Sequence, residues 1–409
     1  MKRRARGVTG ALSITLVSLV LAAQQNPVEQ AWALLGKNQR PEAIRLLYQI
    51  VKANPKDADA RLLLGSVLQE EGDRTGSIAQ LTEAVKLRPN SAEAQNALGE
   101  AFNAFGDAKS ARGPFEKAAA IDPNFAQAHV NLGLVMLEAG ESIQAAAHLD
   151  RAIALLGRKP DAAYPRYLRA KVYTEQGEVK KAVAELEAAV ALRPAYAEAW
   201  SDLGAARKSM MDDAGALKAF EKAVAFGPDD AVAQTRLGSE YLDLGKPHPA
   251  VEHLEAAVRA DPKNQGTLYL LQRALREDNQ PERAAQIKQK LEYLLRQRDR
   301  DDQNLLAGIQ LNNQGADLEK AGDLRGALEK YRAALALLPD HVGIRVNFAV
   351  ALLRLGDWQR GLAELRDAVR REPDNAVLKA ALEDAIVQAP VEFGGQAKAG
   401  KPPKPGTKY

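Results

Sequence analysis

Cysteine is absent from all 409 residues, which removes disulfides, thiolate nucleophiles and Cys-ligated zinc or iron–sulfur centres from consideration. Aromatic residues make up only 5%, too few to suggest a large β core. Beyond the N-terminus no stretch is apolar enough to cross a bilayer. Charge is nearly balanced at a formal +3, and positive charge gathers at the two ends: Lys2, Arg3, Arg4 and Arg6 at the start, Lys398, Lys401, Lys404 and Lys408 at the finish. The chain between them is mildly acidic, so nucleic acid is not an expected partner. Phosphate-binding glycine loops, GxGxxG, HExxH and GxSxG are all missing. Of the five histidines, His248 and His253 fall on different helical faces, without the i, i+4 spacing of a metal pair. Acids along helix surfaces read as solvated. The expectation is therefore of no catalytic, metal-ligating or cofactor-binding residue.

What is present begins with a leader. Residues 1–7, MKRRARG, are basic; residues 8–23, VTGALSITLVSLVLAA, are apolar and uncharged, with small residues before Gln24. This is the order of a secretory signal peptide. The 16 apolar residues fall short of the roughly 20 that a spanning helix needs. Export with cleavage near Gln24, to a periplasmic or secreted destination, is expected; an uncleaved anchor is the alternative. After cleavage no membrane span would remain.

From Gln24 a pattern of 34 residues recurs ten times, at 24–57, 58–91, 92–125, 126–159, 163–196, 197–230, 231–264, 265–298, 308–341 and 342–375. Within each repeat, positions 4, 7, 8 and 11 follow the i, i+3, i+4, i+7 rule and form one stripe of a first helix. Position 8 is small (Gly65, Gly99, Gly133, Gly204, Gly238, Gly315), as are positions 20 and 27 (Ala216 and Ala223 in repeat six). Small residues there let helices approach closely while large ones fill the space beside them. Position 15 is often glycine (Gly72, Gly106, Gly140, Gly177, Gly245, Gly322, Gly356), suiting a left-handed residue that ends the first helix. The acid that usually follows lies near the positive start of the second helix. Proline at position 32 (Pro55, Pro89, Pro123, Pro194, Pro228, Pro262, Pro339, Pro373) stops that helix.

These positions, in phase over residues 24–375, resemble the tetratricopeptide repeat family. The resemblance implies an all-α, alpha-alpha superhelix: a solenoid of antiparallel helix pairs stabilised by stacking. It also implies a protein or peptide partner on the concave face. The expected organisation is a signal peptide over 1–23, about eight repeats over 24–298, a helical connection over 299–307 and two further repeats over 308–375. A capping helix over 376–388 and a disordered basic tail over 389–409 complete it. Repeat eight is degenerate, with Gln272, Lys288 and Arg296 at positions 8, 24 and 32. Nothing stops its second helix between Glu282 and Gln310, so that helix is expected to overrun through RQRDRDDQ.

In this family the inner face is lined mainly from positions 2, 5, 9 and 12 of the first helices. Here these positions supply Asn96, Glu100 and Asn103 in repeat three, Tyr167 and Lys171 in repeat five, Lys208 in repeat six, and Tyr269, Arg273 and Arg276 in repeat eight. Val130, Leu134 and Leu137 in repeat four and Val346, Val350 and Leu353 in repeat ten are apolar. The result is a groove with apolar ends and a mildly basic, aromatic-bearing middle, suited to a partly acidic peptide. The plain alternative is that these side chains are only solvated. Arg207 takes position 11, usually apolar; its stem is expected to cover core while its guanidinium reaches solvent or an acid. The lysine and asparagine clamp of chaperone-binding relatives is not visible, because Val28 and Trp32 stand there. An asparagine ladder at position 6 is represented only by Asn131, Asn313 and Asn347. The expected function is that of an exported, non-catalytic scaffold for protein–protein or protein–peptide interactions. The alternative is a substrate-positioning or assembly subunit of a cell-envelope enzyme complex.

Overall fold

A computed structural model describes residues 27–373, 375–390 and 393. The expected leader lies outside the described residues, as does most of the expected tail. Among the described residues there are twenty α-helices, one short 3-10 turn at Pro160–Ala162 and no strand. The fold is an all-α superhelix of helix pairs. The chain divides into two compact bodies, Met1–Pro262 and Lys263–Tyr409.

Seven pairs build the first body. Their first helices are Pro27–Gly36, Ala58–Glu70, Ala92–Ala104, Ala126–Glu138, Ala163–Glu175, Ala197–Ser209 and Ala231–Asp243. Each is followed by a second helix of 14 or 15 residues, from Arg40–Ala53 to Pro247–Ala260. The central contact within a pair joins positions 8 and 24. A Cβ placed on Gly204 would lie 2.5 Å from the Phe220 ring, and one on Gly99 2.5 Å from Phe115. Gly65 stands in the same relation to Leu81, Gly133 to Leu149 and Gly238 to Leu254. The large partner is fully buried each time, because the missing side chain is the room it occupies.

The turn between paired helices needs a left-handed residue. Gly72, Gly106, Gly140, Gly177 and Gly245 have φ between 69° and 79°. Asn38, Met211 and Asn279 take the same position at φ 59°, 60° and 56°, where a Cβ is unfavourable and asparagine is better tolerated than methionine. Where the next residue is aspartate it is a true N-cap, not merely a charge near a dipole; Glu141 and Glu178 make no such cap. Asp73, Asp107 and Asp212 accept hydrogen bonds from the backbone N–H groups of Gly76, Ser110 and Gly215.

Position 4, assigned from sequence to the packing stripe, does polar work. Its side chain donates to the carbonyl of the preceding position-32 proline in several repeats: Arg61 to Pro55, Gln95 to Pro89, Trp200 to Pro194 and Gln234 to Pro228. It also reaches position 23 of its own second helix, as in Arg61–Gln80, His129–His148 and Arg166–Glu185. One side chain thereby ties together the turn before it and the helix after it.

The second body contains Gln265–Glu277, Pro281–Lys320, Leu324–Leu337, Val342–Arg354, Trp358–Arg371 and Ala376–Gln388. Pro281–Lys320 is a single helix of 40 residues. It joins the second helix of repeat eight to the first helix of repeat nine, so residues 299–307 lie mid-helix. The division into compact bodies falls between repeats seven and eight. Lys288 is exposed at position 24, where every other repeat has a buried large residue. Positions 3 and 7, buried as Ala199 and Leu203 in repeat six, are the exposed Gln310 and Gln314 in repeat nine. At the C-terminal end Ala389 is buried and Phe393 packs on the cluster around Leu378 and Ala385, so ordered packing extends past the expected start of the tail.

Gly204→Ala is expected to destabilise the protein by about 1–3 kcal/mol, the usual cost of overpacking. Urea denaturation followed by circular dichroism measures it; an unchanged or raised midpoint would show that positions 8 and 24 have slack.

Candidate functional site

The side chains proposed for the inner face meet different fates. Asn96 and Asn131 are buried, at 5% and 8% exposure. Asn131 Nδ2 donates to Asn96 Oδ1 at 2.9 Å and to Glu100 Oε1 at 3.1 Å, while Gln127 donates to Asn131 Oδ1. Their amides therefore join repeats three and four. The same bond recurs from Asn347 to Asn312 at 2.9 Å in the second body. The sequence reading placed position 5 on the open face. In repeats four and ten neighbouring first helices instead enclose it, so Val130 and Val346 are buried too, whereas Tyr269 at the same position in repeat eight is 61% exposed. Leu137 and Leu353 are likewise buried, and Leu134 and Val350 are half-buried against the same clusters, so the expected apolar groove ends belong mostly to the core. Asn103 is half-buried near the end of its helix.

Lys208 spans two repeats. Its Nζ lies 2.5 Å from Glu240 Oε2 and 2.5 Å from Asp243 Oδ2. Burial works against its charge, but the hydrogen bonds to Asp243 and Glu240 win and raise its pKa above the ordinary lysine value. Glu240 is 1% exposed, and its other oxygen has no hydrogen-bond partner. Arg207 reaches Glu187 at 2.7 Å and the Gly215 carbonyl, so its guanidinium finds an acid.

Lys171 is different. It is exposed, pairs with no carboxylate among the described residues, and holds its Nζ 5.8 Å from the centre of the Tyr167 ring. Tyr167 is half-buried against Tyr196, ring centroids 5.2 Å apart. Burial, and then the Asp202 carboxylate bonded to it, push the Tyr167 hydroxyl above its ordinary pKa. Lys171 stands at the rim of a hollow of about 270 Å³ lined by the first helices of repeats five, six and seven and the second helix of repeat five. Ala170, Val179, Leu186, Ala205 and Ala206 make its apolar surface; Thr174, Glu175, Asp202, Ser209 and Arg236 add polar groups. Arg236 is held by Asp202 at 2.7 Å and by Ser201 at 2.8 Å. Sequence reasoning found Lys171 but missed the hollow. The signal was Ala205 at position 9, where repeats three, five and eight carry Glu100, Lys171 and Arg273.

In the second body, Tyr269, Arg273 and Arg276 come together with Gln272 and Glu277 around a separate, more polar hollow of about 450 Å³. All five residues belong to one helix. Arg273 is paired with Glu277 at 2.8 Å. Among the described residues there is no group of three or more side chains suited to a metal ion, and no helix is long and apolar enough to cross a membrane.

Helix pairs in phase, glycine against a large residue and proline-terminated second helices define a tetratricopeptide repeat array, and the chain belongs to that family. Matches described as TPR repeat cover residues 170–210, and matches described as tetratricopeptide repeat cover 28–73, 62–124, 231–264 and 318–385. The chain is similar to protein FlbA of Caulobacter vibrioides, 30% identical over 172 residues, which are 42% of this chain and 27% of that protein. It is also similar to the heat-shock protein cognate co-chaperone sgt12 of Aspergillus fumigatus, 36% identical over 104 residues, covering 23% of this chain and 30% of that protein. The chain thus spans less than a third of the length of either relative. Among solved structures it is similar to pilF of Pseudomonas aeruginosa, at 18% identity and TM-score 0.48, covering 52% of this chain and 97% of that one. YrrB, described as a TPR protein with an unusual peptide-binding site, is similar at 21% identity and TM-score 0.38, covering 46% and 95%.

Lys208→Met is expected to cost about 2 kcal/mol, because it strands a buried carboxylate, with some relief from partial solvation. Lys208→Met with Glu240→Met should recover most of that loss. Thermal denaturation of the two variants checks it; a single variant as stable as the parent would mean the pair is energetically idle.

Proposed function

We propose that the protein is an exported, non-catalytic scaffold that holds a protein or peptide partner against the first helices of repeats five to seven. The observation that carries this reading is the hollow beside Lys171. Its floor is apolar, made of three alanines with Val179 and Leu186. Its volume of about 270 Å³ lies near the lower end of small-molecule pockets, roughly 300–1,000 Å³, and suits one or two apolar side chains of a peptide. The cations around it differ in availability: Lys208 and Arg236 are bound to carboxylates, whereas Lys171 is open to an incoming acid. An apolar residue flanked by an acidic one is the chemistry that fits. Family membership supports protein binding as the general activity.

Binding is tested by capture from cell-envelope extract or by titration with the captured partner. Ala205→Trp fills the hollow and should abolish capture; Lys171→Glu should weaken binding by about tenfold, as expected for a desolvated charge contact. Lys218→Glu, on the exposed side of a second helix, should leave it unchanged. Equal capture by all three variants would rule out this face. A captured partner with catalytic activity of its own would make this chain its positioning subunit.

Export is supported by the basic–apolar–small order of residues 1–23. The N-terminal sequence of protein isolated from cells is expected to begin near Gln24. A chain retaining Leu12–Ala22 would instead be anchored.

A further inference from the structure

The 34-residue period breaks once inside the first body, and a second hollow opens at the break. Gly157, with φ 64°, stands where other repeats have the position-32 proline, and the 3-10 turn Pro160–Ala162 is inserted before repeat five. A cleft of about 410 Å³ lies there, between the N-terminal ends of the first helices of repeats four and five. Val130 and Pro165, both buried, and the half-buried Leu156 and Tyr164 supply its largely apolar lining. The exposed Asp161 and Arg193 add one charge of each sign.

Arg193 occupies position 31 of repeat five, and repeat two shows what an arginine at that position can do. There Arg88 is gripped by both oxygens of Asp59, at position 2 of the same repeat, at 2.5 Å and 2.7 Å. In repeat five position 2 is Tyr164, so the acid is missing. Arg193 pairs with no carboxylate among the described residues and instead lies over the Tyr196 ring, 5.2 Å from its centre. Tyr196 packs against Tyr167, and Lys171 lies over Tyr167. Two cations without carboxylates thus bracket a tyrosine pair, in three steps of 5.2, 5.2 and 5.8 Å.

We propose that Arg193 and this cleft form a second anchor for the peptide partner, a chain that carries two acidic residues, each beside an apolar one. The inference rests on the reading that the partner lies at the hollow beside Lys171, and it extends the footprint to repeat four. The partner's second carboxylate takes the place on Arg193 that Asp59 takes on Arg88, a bidentate, charge-assisted pair. The apolar neighbour of that acid enters between Val130, Leu156, Tyr164 and Pro165. Asp161 at the same cleft repels a further carboxylate, so this anchor accepts a single acid. An extended chain advances about 3.3 Å per residue, so the distance from Lys171 to Arg193 suits acids about three to five residues apart.

Fluorescence anisotropy of the full chain with labelled synthetic peptides tests this. One peptide carries a single Leu-Asp pair in a Gly-Ser background; the others carry two such pairs at graded spacings. The parent is expected to bind two-pair peptides whose acids lie about three to five residues apart at least about tenfold more tightly than the single-pair peptide. Arg193→Glu should bring the preferred two-pair peptide down to the single-pair affinity, with the single-pair peptide still bound. Tyr164→Asp should do the same, because it gives Arg193 the acid that Arg88 already has. Ala205→Trp should weaken the single-pair peptide, which reports the hollow beside Lys171 separately. If that peptide binds and responds to Ala205→Trp, but a second pair adds nothing at any spacing, the second anchor is overturned and the first stands. A gain that survives both Arg193→Glu and Tyr164→Asp overturns it equally. If no peptide binds the parent, both readings fall.

Discussion

The whole array depends on how closely two helices of a pair approach. Glycine at position 8 brings the first helix onto the large residue at position 24, as Gly204 does with Phe220 and Gly133 with Leu149. That single fit sets the pair geometry, and the pair geometry sets the spacing of successive first helices. Since each pair buries too little by itself, stability comes from repetition of the same contact along the stack. Repeat eight shows the consequence of losing it. Gln272 at position 8 and an exposed Lys288 at position 24 forgo that fit, and with Arg296 where other repeats have proline nothing stops the second helix, which runs on to Lys320.

Close spacing also decides which polar side chains remain available to a partner. First helices that lie near one another use their facing polar groups to tie repeats together. Asn131 bonds Asn96, Arg236 bonds Ser201 and Asp202, and Lys208 bonds Glu240 and Asp243. Each such tie removes a group from the pool that a peptide could engage, because an unpaired buried polar group is costly. Where alanine stands in place of a larger residue, at Ala205, the helices leave a hollow and Lys171 stays open beside it. The candidate site is a local relaxation of the rule that builds the rest.

The repeat boundaries, the glycine turns and the packing stripe were legible because they repeat, and coincidence cannot reproduce a 34-residue period so often. The site was less legible. Position number alone assigned Asn96, Lys208 and Lys171 to one face, yet the first is enclosed, the second ion-paired and the third open. What separates them is the partner on the neighbouring helix, 32 to 35 residues away for Lys208 and Asn96, and single-position patterns do not encode pairs. Position 4 was hidden for a similar reason. Arginine, glutamine, histidine and tryptophan look unrelated in sequence, but all carry an N–H that reaches the carbonyl of the preceding proline. The long helix was partly legible, since the absence of a stop signal between Glu282 and Gln310 was plain.

The central claim is that the partner sits between the first helices of repeats five to seven. Site-specific photocrosslinking in intact cells tests it most directly. A photoreactive residue at Ala205, inside the hollow, is compared with one at Ala225, on the exposed side of the second helix of repeat six. The account predicts a discrete crosslinked product from position 205 and none from position 225. Crosslinking from position 225 alone, or equally from both, would contradict it.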